Sequence, residues 1–250
     1  MITCLNCGEL FKGSYCPNCG QAASEQRLSA TVLLYETVHF LTHFEKGFLY
    51  TVWSFLVRPG QASINFLAGK RKRYQKPVSY FLIVTGIYIL LHNYIIYYYK
   101  YHYSMLNENS VALNFKEQAN LLLRTHFTPF LILIILFSAI IIYHILGKTK
   151  YNFIEILTLS LYGGGTYFVM LIVTDLIIGA IFKLNIISVN VFIYQLIISS
   201  LYNIWFCFDF FKRANLNMFW LRLITASILV SYVGWLIMNY LPMLWVSLMK

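Results

Sequence analysis

Five apolar runs dominate this chain, at residues 78–98, 126–146, 155–181, 190–211 and 222–245. Each is close to the roughly 20 helical residues needed to cross a hydrocarbon core ~30 Å thick. Composition matters here for one reason: only 11% of the 250 residues are charged, while 59% are apolar and 18% aromatic. A soluble domain devotes about a quarter of its residues to charge, so this chain has too little polar surface to coat a water-soluble globule of its length. The sequence predicts an all-α integral membrane protein, with a bundle of about five transmembrane helices over residues 70–250.

The opening segment is different in kind. Four of the five cysteines fall there as Cys4, Cys7, Cys16 and Cys19, a C-x2-C-x8-C-x2-C arrangement. A two-residue spacer lets both thiolates of a pair point at one centre, and two pairs complete a tetrahedral set for Zn²⁺. Two disulfides are the competing reading of the same four residues. Gly8 and Gly20 each follow the second cysteine of a pair, where a tight turn needs positive φ, and Pro17 stiffens the second turn. A module of residues 1–22 cannot build a hydrophobic core, so bound metal must supply most of its folding free energy. Four cysteines leave no open ligand position, which marks the zinc as structural. Unpaired thiols further imply a reducing, cytoplasmic location. Cys207, alone in an apolar stretch, reads as a small buried hydrophobe.

A polar link leads to residues 31–69, read as amphipathic helices at the membrane interface. Leu34, Val38, Leu41, Phe48, Val52 and Phe55 recur at helical spacing, and Arg58-Pro59-Gly60 closes the first helical run. Glu36, His39, His43, Glu45 and Lys46 would be costly inside lipid, so the helix is expected to lie along the inner surface with Trp53 near the headgroups. Glu36, His39 and His43 share one helical face and form a candidate second metal site. The same positions, continued by Lys46 and Tyr50, trace the polar stripe an interfacial helix needs, and that account requires no metal. Next come Lys70, Arg71, Lys72, Arg73 and Lys76, five positive charges within seven residues. They mark the cytoplasmic flank of the first span and suit anionic lipid headgroups. A nucleic-acid partner is not expected, because such a patch would have to sit against the membrane.

Orientation follows from the short connections. Fourteen Lys and Arg residues, from the amino-terminal segment through Lys148, Lys150, Lys212, Arg213 and Arg222, fall on one side, against Lys100, Lys116, Arg124, Lys183 and Lys250 on the other. The positive-inside rule then places the amino terminus in the cytoplasm and the carboxyl terminus outside. With the first apolar run starting near residue 78, that span is expected to act as the insertion signal itself. Tyr94, Tyr97, Tyr98, Tyr99, Tyr101 and Tyr103 cluster where it should meet the outer interface.

Ionisable residues within the spans are functional candidates because placing them there is expensive. Glu155, Asp209 and Arg222 lie at span ends and should gather with Lys212 and Arg213 into a salt-bridged inner collar. Asp175 lies twenty residues beyond Glu155, about 30 Å further along a helix, and is the single best intramembrane candidate. Gly163, Gly164 and Gly165 either allow close helix packing or break the helix to expose backbone to a ligand. Gln195, Ser199, Ser200 and Asn203 can hydrogen-bond across the bundle. Nucleophile-elbow, dinucleotide and phosphate-loop motifs are absent.

In order along the chain stand C-x2-C-G, C-P-x-C-G, H-F-E-K-G-F-L-Y-T at residues 43–51, R-P-G at 58–60, G-K-R-K-R-Y at 69–74 and Pro77. This series resembles an uncharacterised family of multi-pass bacterial membrane proteins with an amino-terminal zinc ribbon, a domain-of-unknown-function family. The resemblance covers residues 4–85. It implies a zinc-ribbon-like head and a bacterial inner-membrane address, and it carries no activity with it. Three functions fit these features. The favoured one is a non-enzymatic adaptor or regulator whose cytoplasmic zinc module docks a protein partner at the membrane. The second is a transporter or permease subunit using Asp175 and a helix break at Gly163–Gly165. The third is a membrane-embedded metalloenzyme using Glu36, His39 and His43.

Overall fold

The computed structural model describes residues 1–23, 47–104, 127–147, 150–177, 189–212 and 217–248. The first piece is a small knot carrying a two-stranded antiparallel ladder, β1 (Ile2–Thr3) against β2 (Leu10–Phe11), with Ile2 opposite Phe11 and Thr3 opposite Leu10. The other described elements are helices: α1 (Phe48–Val57), α2 (Pro59–Leu67), α3 (Pro77–Ser104), α4 (Phe127–Ile142) continued by a π-helical turn (Tyr143–Gly147), α5 (Phe153–Leu176), α6 (Val189–Phe211) and α7 (Phe219–Leu248).

Helices thus occupy all five expected apolar runs. Three stretches among the described residues are both long and apolar enough to cross a membrane: Pro77–Ile95, Phe153–Leu176 and Phe219–Ile237. Phe130–Leu146 is a shorter apolar helix. The chain is therefore mostly helical with the character of a membrane protein.

Helix boundaries follow local chemistry. Pro59 disfavours helical backbone at the residue before it, so α1 stops and Arg58 takes φ −143° and ψ 64°. The same proline then sits at the first position of α2, where its missing N–H costs nothing. Helix α5 opens with a reciprocal cap: Glu155 N–H donates to Asn152 Oδ1 at 2.7 Å, and Asn152 N–H donates to Glu155 Oε2 at 2.9 Å.

Helix α5 is the hub. It packs along α3, its most extensive partner, and also touches α1, α4 and α6, while α7 closes against α4 and α6. Gly163–Gly165 lie inside α5, which runs through them without a break. The helix-break alternative is therefore corrected, and the reason is steric. A Cβ on Gly165 would come 2.6 Å from the Tyr80 ring, and one on Gly164 would come 3.2 Å from Ile135. The glycines let α3 and α4 approach α5 closely, and Tyr80 Oη completes the contact with Thr166 Oγ1 at 3.0 Å.

Helices α1 and α2 are the described part of residues 31–69, the segment expected at the membrane interface. Their inward face is seated on protein, against α5 and α6. Phe55 is fully buried, its ring stacked on Tyr162 at 4.3 Å, and Phe66 meets the same Tyr162 edge-on at 5.2 Å. Tyr202 Oη donates to the Phe55 carbonyl at 3.2 Å. An amphipathic pattern reports only that one face is apolar; here that face meets aromatic side chains. The opposite face of α1 leaves Leu49 and Trp53 exposed.

The tightest approach is at Gly60. Its N–H donates to Asp209 Oδ2 at 2.7 Å, so a carboxylate from the end of α6 caps the positive end of α2. A Cβ at Gly60 would lie 2.3 Å from the Asp209 backbone, whereas one at Gly86 would meet nothing within 4 Å. Gly60→Ala should therefore destabilise the purified protein by about 1–3 kcal/mol through overpacking. Gly86→Ala should be neutral or stabilising by up to about 1 kcal/mol through helix propensity. Thermal unfolding in detergent compares the two, and an equal response would contradict the packing assigned to Gly60.

Candidate functional site

The cysteine knot is built from two equivalent turns. Gly8 N–H donates to the Cys4 carbonyl at 2.9 Å and Cys4 N–H to the Glu9 carbonyl at 2.8 Å. In the second turn Gly20 N–H donates to the Cys16 carbonyl at 2.8 Å and Cys16 N–H to the Gln21 carbonyl at 2.9 Å. Gly8 and Gly20 have φ of +82° and +70°, the left-handed backbone that the motif requires of them.

The turns bring the four sulfurs of Cys4, Cys7, Cys16 and Cys19 within 4.8 Å of one another. Cys4 Sγ lies 3.5 Å from Cys19 Sγ, and Cys7 Sγ lies 3.6 Å from Cys16 Sγ. None is in a disulfide. A tetrahedral tetrathiolate site with metal–sulfur bonds of about 2.3 Å has sulfurs about 3.8 Å apart, so the donor set fits a metal ion.

Backbone and side-chain donors tune the sulfurs. The Glu9 N–H favours the Cys7 thiolate, but burial and the neighbouring sulfurs outweigh it and push that thiol up to about 12. At Cys19, burial disfavours the thiolate, yet the Gln21 N–H and the Asn6 side chain prevail and draw it down to about 7. Four thiolates crowded this closely repel one another unless a cation sits among them, which is the role a divalent ion would fill.

Gln21 joins this centre to the rest of the molecule. Its backbone closes the second cysteine turn, while its buried side chain reaches the loop before α3. Nε2 donates to the Gly69 carbonyl at 2.8 Å, and Oε1 accepts from Arg71 N–H at 3.3 Å. Gly69 has φ +90°, and a Cβ there would come 2.7 Å from Leu5 of the knot. One amide side chain thus clamps the cysteine knot to the basic loop, a role that no spacing in the sequence announces.

The loop is fastened to α1 in turn. Thr51 Oγ1 donates to the Gly47 carbonyl at 2.8 Å and accepts from Gln75 N–H at 2.7 Å. Tyr162 Oη donates to the Gln75 carbonyl at 2.6 Å. A Cβ on Gly47 would lie 2.7 Å from the Arg73 carbonyl. The G-F-L-Y-T and G-K-R-K-R-Y segments are thereby two sides of one joint.

Of the five cations assigned to lipid headgroups, Lys70, Lys72 and Arg73 are exposed, and Lys76 is half-buried. Arg71 is a correction. Its side chain turns inward, with Nε donating to the Phe66 carbonyl at 3.3 Å and the guanidinium 5.3 Å from the centre of the Phe66 ring. A cation flanked by apolar helix can serve packing as well as charge. Of the expected inner collar, Arg213 lies outside the described residues. Asp209 pairs with Lys212, Glu155 caps α5, and Arg222 Nη1 donates to the Ile145 carbonyl at 3.4 Å.

Asp175 lies at the other end of α5 with its side chain 3% exposed. Oδ2 is 2.9 Å from His92 Nδ1 on α3, and Oδ1 accepts from Gln195 Nε2 on α6 at 2.7 Å. The sequence singled out Asp175 and gave Gln195 a bundle-bridging role, but it passed over His92. The signal was present, since His92 is an ionisable residue inside the first span. Ser200 Oγ meets Ser231 Oγ of α7 at 3.0 Å, while Asn203 accepts from Cys207 within α6. Cys207 is buried as expected. Glu36, His39 and His43, the candidate second metal site, lie outside the described residues.

A family model described as a protein of unknown function, DUF3667, matches residues 45–89. That segment runs from just before Gly47 through the Gly60 contact and the basic loop into the first half of α3. No curated protein and no solved structure matches the chain.

Two measurements check this centre. The purified chain should carry one equivalent of divalent metal, and Cys4→Ser with Cys16→Ser should abolish it, as read by elemental analysis. Gln21→Ala should retain the metal yet raise hydrogen exchange at the Arg71 amide about fivefold, the effect of losing roughly 1 kcal/mol of hydrogen bonding. Unchanged exchange would remove the clamp.

Proposed function

We propose that this chain is a non-enzymatic adaptor or regulator of the bacterial inner membrane. Its zinc-ribbon-like head, held by structural Zn²⁺, docks a protein partner at the cytoplasmic face. The observation that carries the reading is the Gln21 clamp. A head fastened at the mouth of the first span, rather than swinging on a tether, can present a fixed surface. Leu10 and Tyr15 stay exposed on the head, 62% and 68%, although a 23-residue knot has few apolar groups to spare. Exposed apolar groups rimmed by polar residues are the usual anatomy of a docking face.

Zinc is favoured by four thiolates in a closed set. Five spans are supported by helices over all five apolar runs, with Phe127–Ile142 extended to Gly147 and Val189–Phe211 joining the three that meet the length and hydropathy criteria. An odd number of crossings, with the basic loop inside, puts the carboxyl terminus outside. Exposed Lys70, Lys72 and Arg73 then face anionic headgroups, each contributing on the order of 1 kcal/mol. The transport alternative keeps Asp175 but loses its helix break, since α5 is continuous.

The test is a photo-crosslinking amino acid at Tyr15 in native membranes. The adaptor reading expects one specific protein adduct, lost in Cys4→Ser and retained in Asp175→Asn. Loss in Asp175→Asn alone would favour transport, and adducts only to lipid would overturn the docking role. Terminal reporters should in parallel show the two chain ends on opposite sides of the membrane.

A further inference from the structure

We propose that His92, Asp175 and Gln195 form a proton-binding site inside the bundle, with His92 Nε2 as the atom that takes up the proton. The inference stands on geometry independent of the adaptor reading. An ionised carboxylate oxygen only accepts, so with Asp175 charged the 2.9 Å contact between its Oδ2 and His92 Nδ1 puts the hydrogen on Nδ1. That fixes the tautomer and leaves the Nε2 lone pair, without a partner among the described residues, as the open base. Oδ1 of the same carboxylate is taken by Gln195 Nε2 at 2.7 Å, so both oxygens are held, each from a different helix.

Charge balance then favours one proton in the pair. With neutral imidazole the bundle keeps a lone negative charge on a side chain that is 3% exposed; with imidazolium the pair is neutral overall. The proton moves from water to Nε2, no bond other than N–H forms, and the carboxylate stays ionised. Of the two, the histidine is the more open, with its side chain 25% exposed against 3% for Asp175. The ring is steadied by Tyr88, stacked on it at 5.2 Å with 26° between planes.

Among the described residues, the other titratable groups that face the carboxylate are Tyr88 from α3 and Tyr167 from α5; α6 contributes the uncharged Gln195. None of these supplies a permanent positive charge, which among the described residues leaves the imidazole as the group able to neutralise Asp175. A purely structural bridge between three helices would need only amides and hydroxyls, as Ser200 and Ser231 show elsewhere in the bundle. An acid and a base placed together in the far part of two spans bind something, and the smallest cation fits a pair already in hydrogen-bond contact.

The experiment uses the full chain in lipid nanodiscs. Histidine ring nitrogens are labelled with ¹⁵N, His92 is assigned by its loss in His92→Gln, and carboxylate stretching is followed by infrared difference spectroscopy from roughly pH 4 to 9. The proposal expects the Nδ1–H tautomer at the alkaline end and uptake of a single proton at Nε2. A carboxylate band should shift in the same interval, and that shift should vanish in both Asp175→Asn and His92→Gln. Should Asp175→Asn fail to insert, the wild-type and His92→Gln spectra decide; should His92→Gln fail, replacing the other five histidines one at a time assigns His92 by elimination. An Nε2–H tautomer, no protonation across the interval, or a protonated Asp175 beside neutral imidazole would overturn the site.

Discussion

The Gly60 N–H held by the Asp209 carboxylate is the contact on which the rest of this arrangement depends. Only a residue without a side chain permits α2 to approach the end of α6 so closely. Because Pro59 has already turned the chain at Arg58, fixing α2 also fixes α1, and Phe55 and Phe66 are brought onto Tyr162 from two directions. The loop after α2 then falls where Thr51 and Tyr162 can grip Gln75 and where Gln21 can reach Gly69. A sequence of short hydrogen bonds thereby runs from the hub helix to the cysteine knot.

Acidic residues are scarce in this chain, and three of them in the described part, two buried and one partly so, each have a distinct use. Glu155 closes a helix cap, Asp209 caps a second helix while pairing with Lys212, and Asp175 bridges three helices through His92 and Gln195. A buried carboxylate without donors would cost several kcal/mol, so its partners identify its role more surely than its position does. By that criterion Glu155 and Asp209 are architectural. Asp175 differs because one of its partners can itself change charge.

The helices were readable from length and hydropathy, since a run of twenty apolar residues has few other ways to satisfy its backbone. The cysteine set was readable because ligand spacing is local: two residues within each pair and a glycine after it. Seating of α1 and α2 was not, because an amphipathic face carries no label for lipid or protein. Likewise Gln21 and His92 act through partners 48 to 83 residues away, beyond any periodicity. Gly165 allowed two readings until Tyr80, from another helix, was seen to occupy the space a side chain would need.

Phe55 offers the most direct test, because the account seats it on α5 and α6 instead of in lipid. A benzophenone amino acid placed there in native membranes should, on illumination, form an intramolecular adduct with the peptides carrying Tyr162 or Phe206, the rings that flank it. Adducts to acyl chains, with those peptides unmodified, would mean that the hairpin lies on the membrane surface and that the path from hub helix to cysteine knot does not exist.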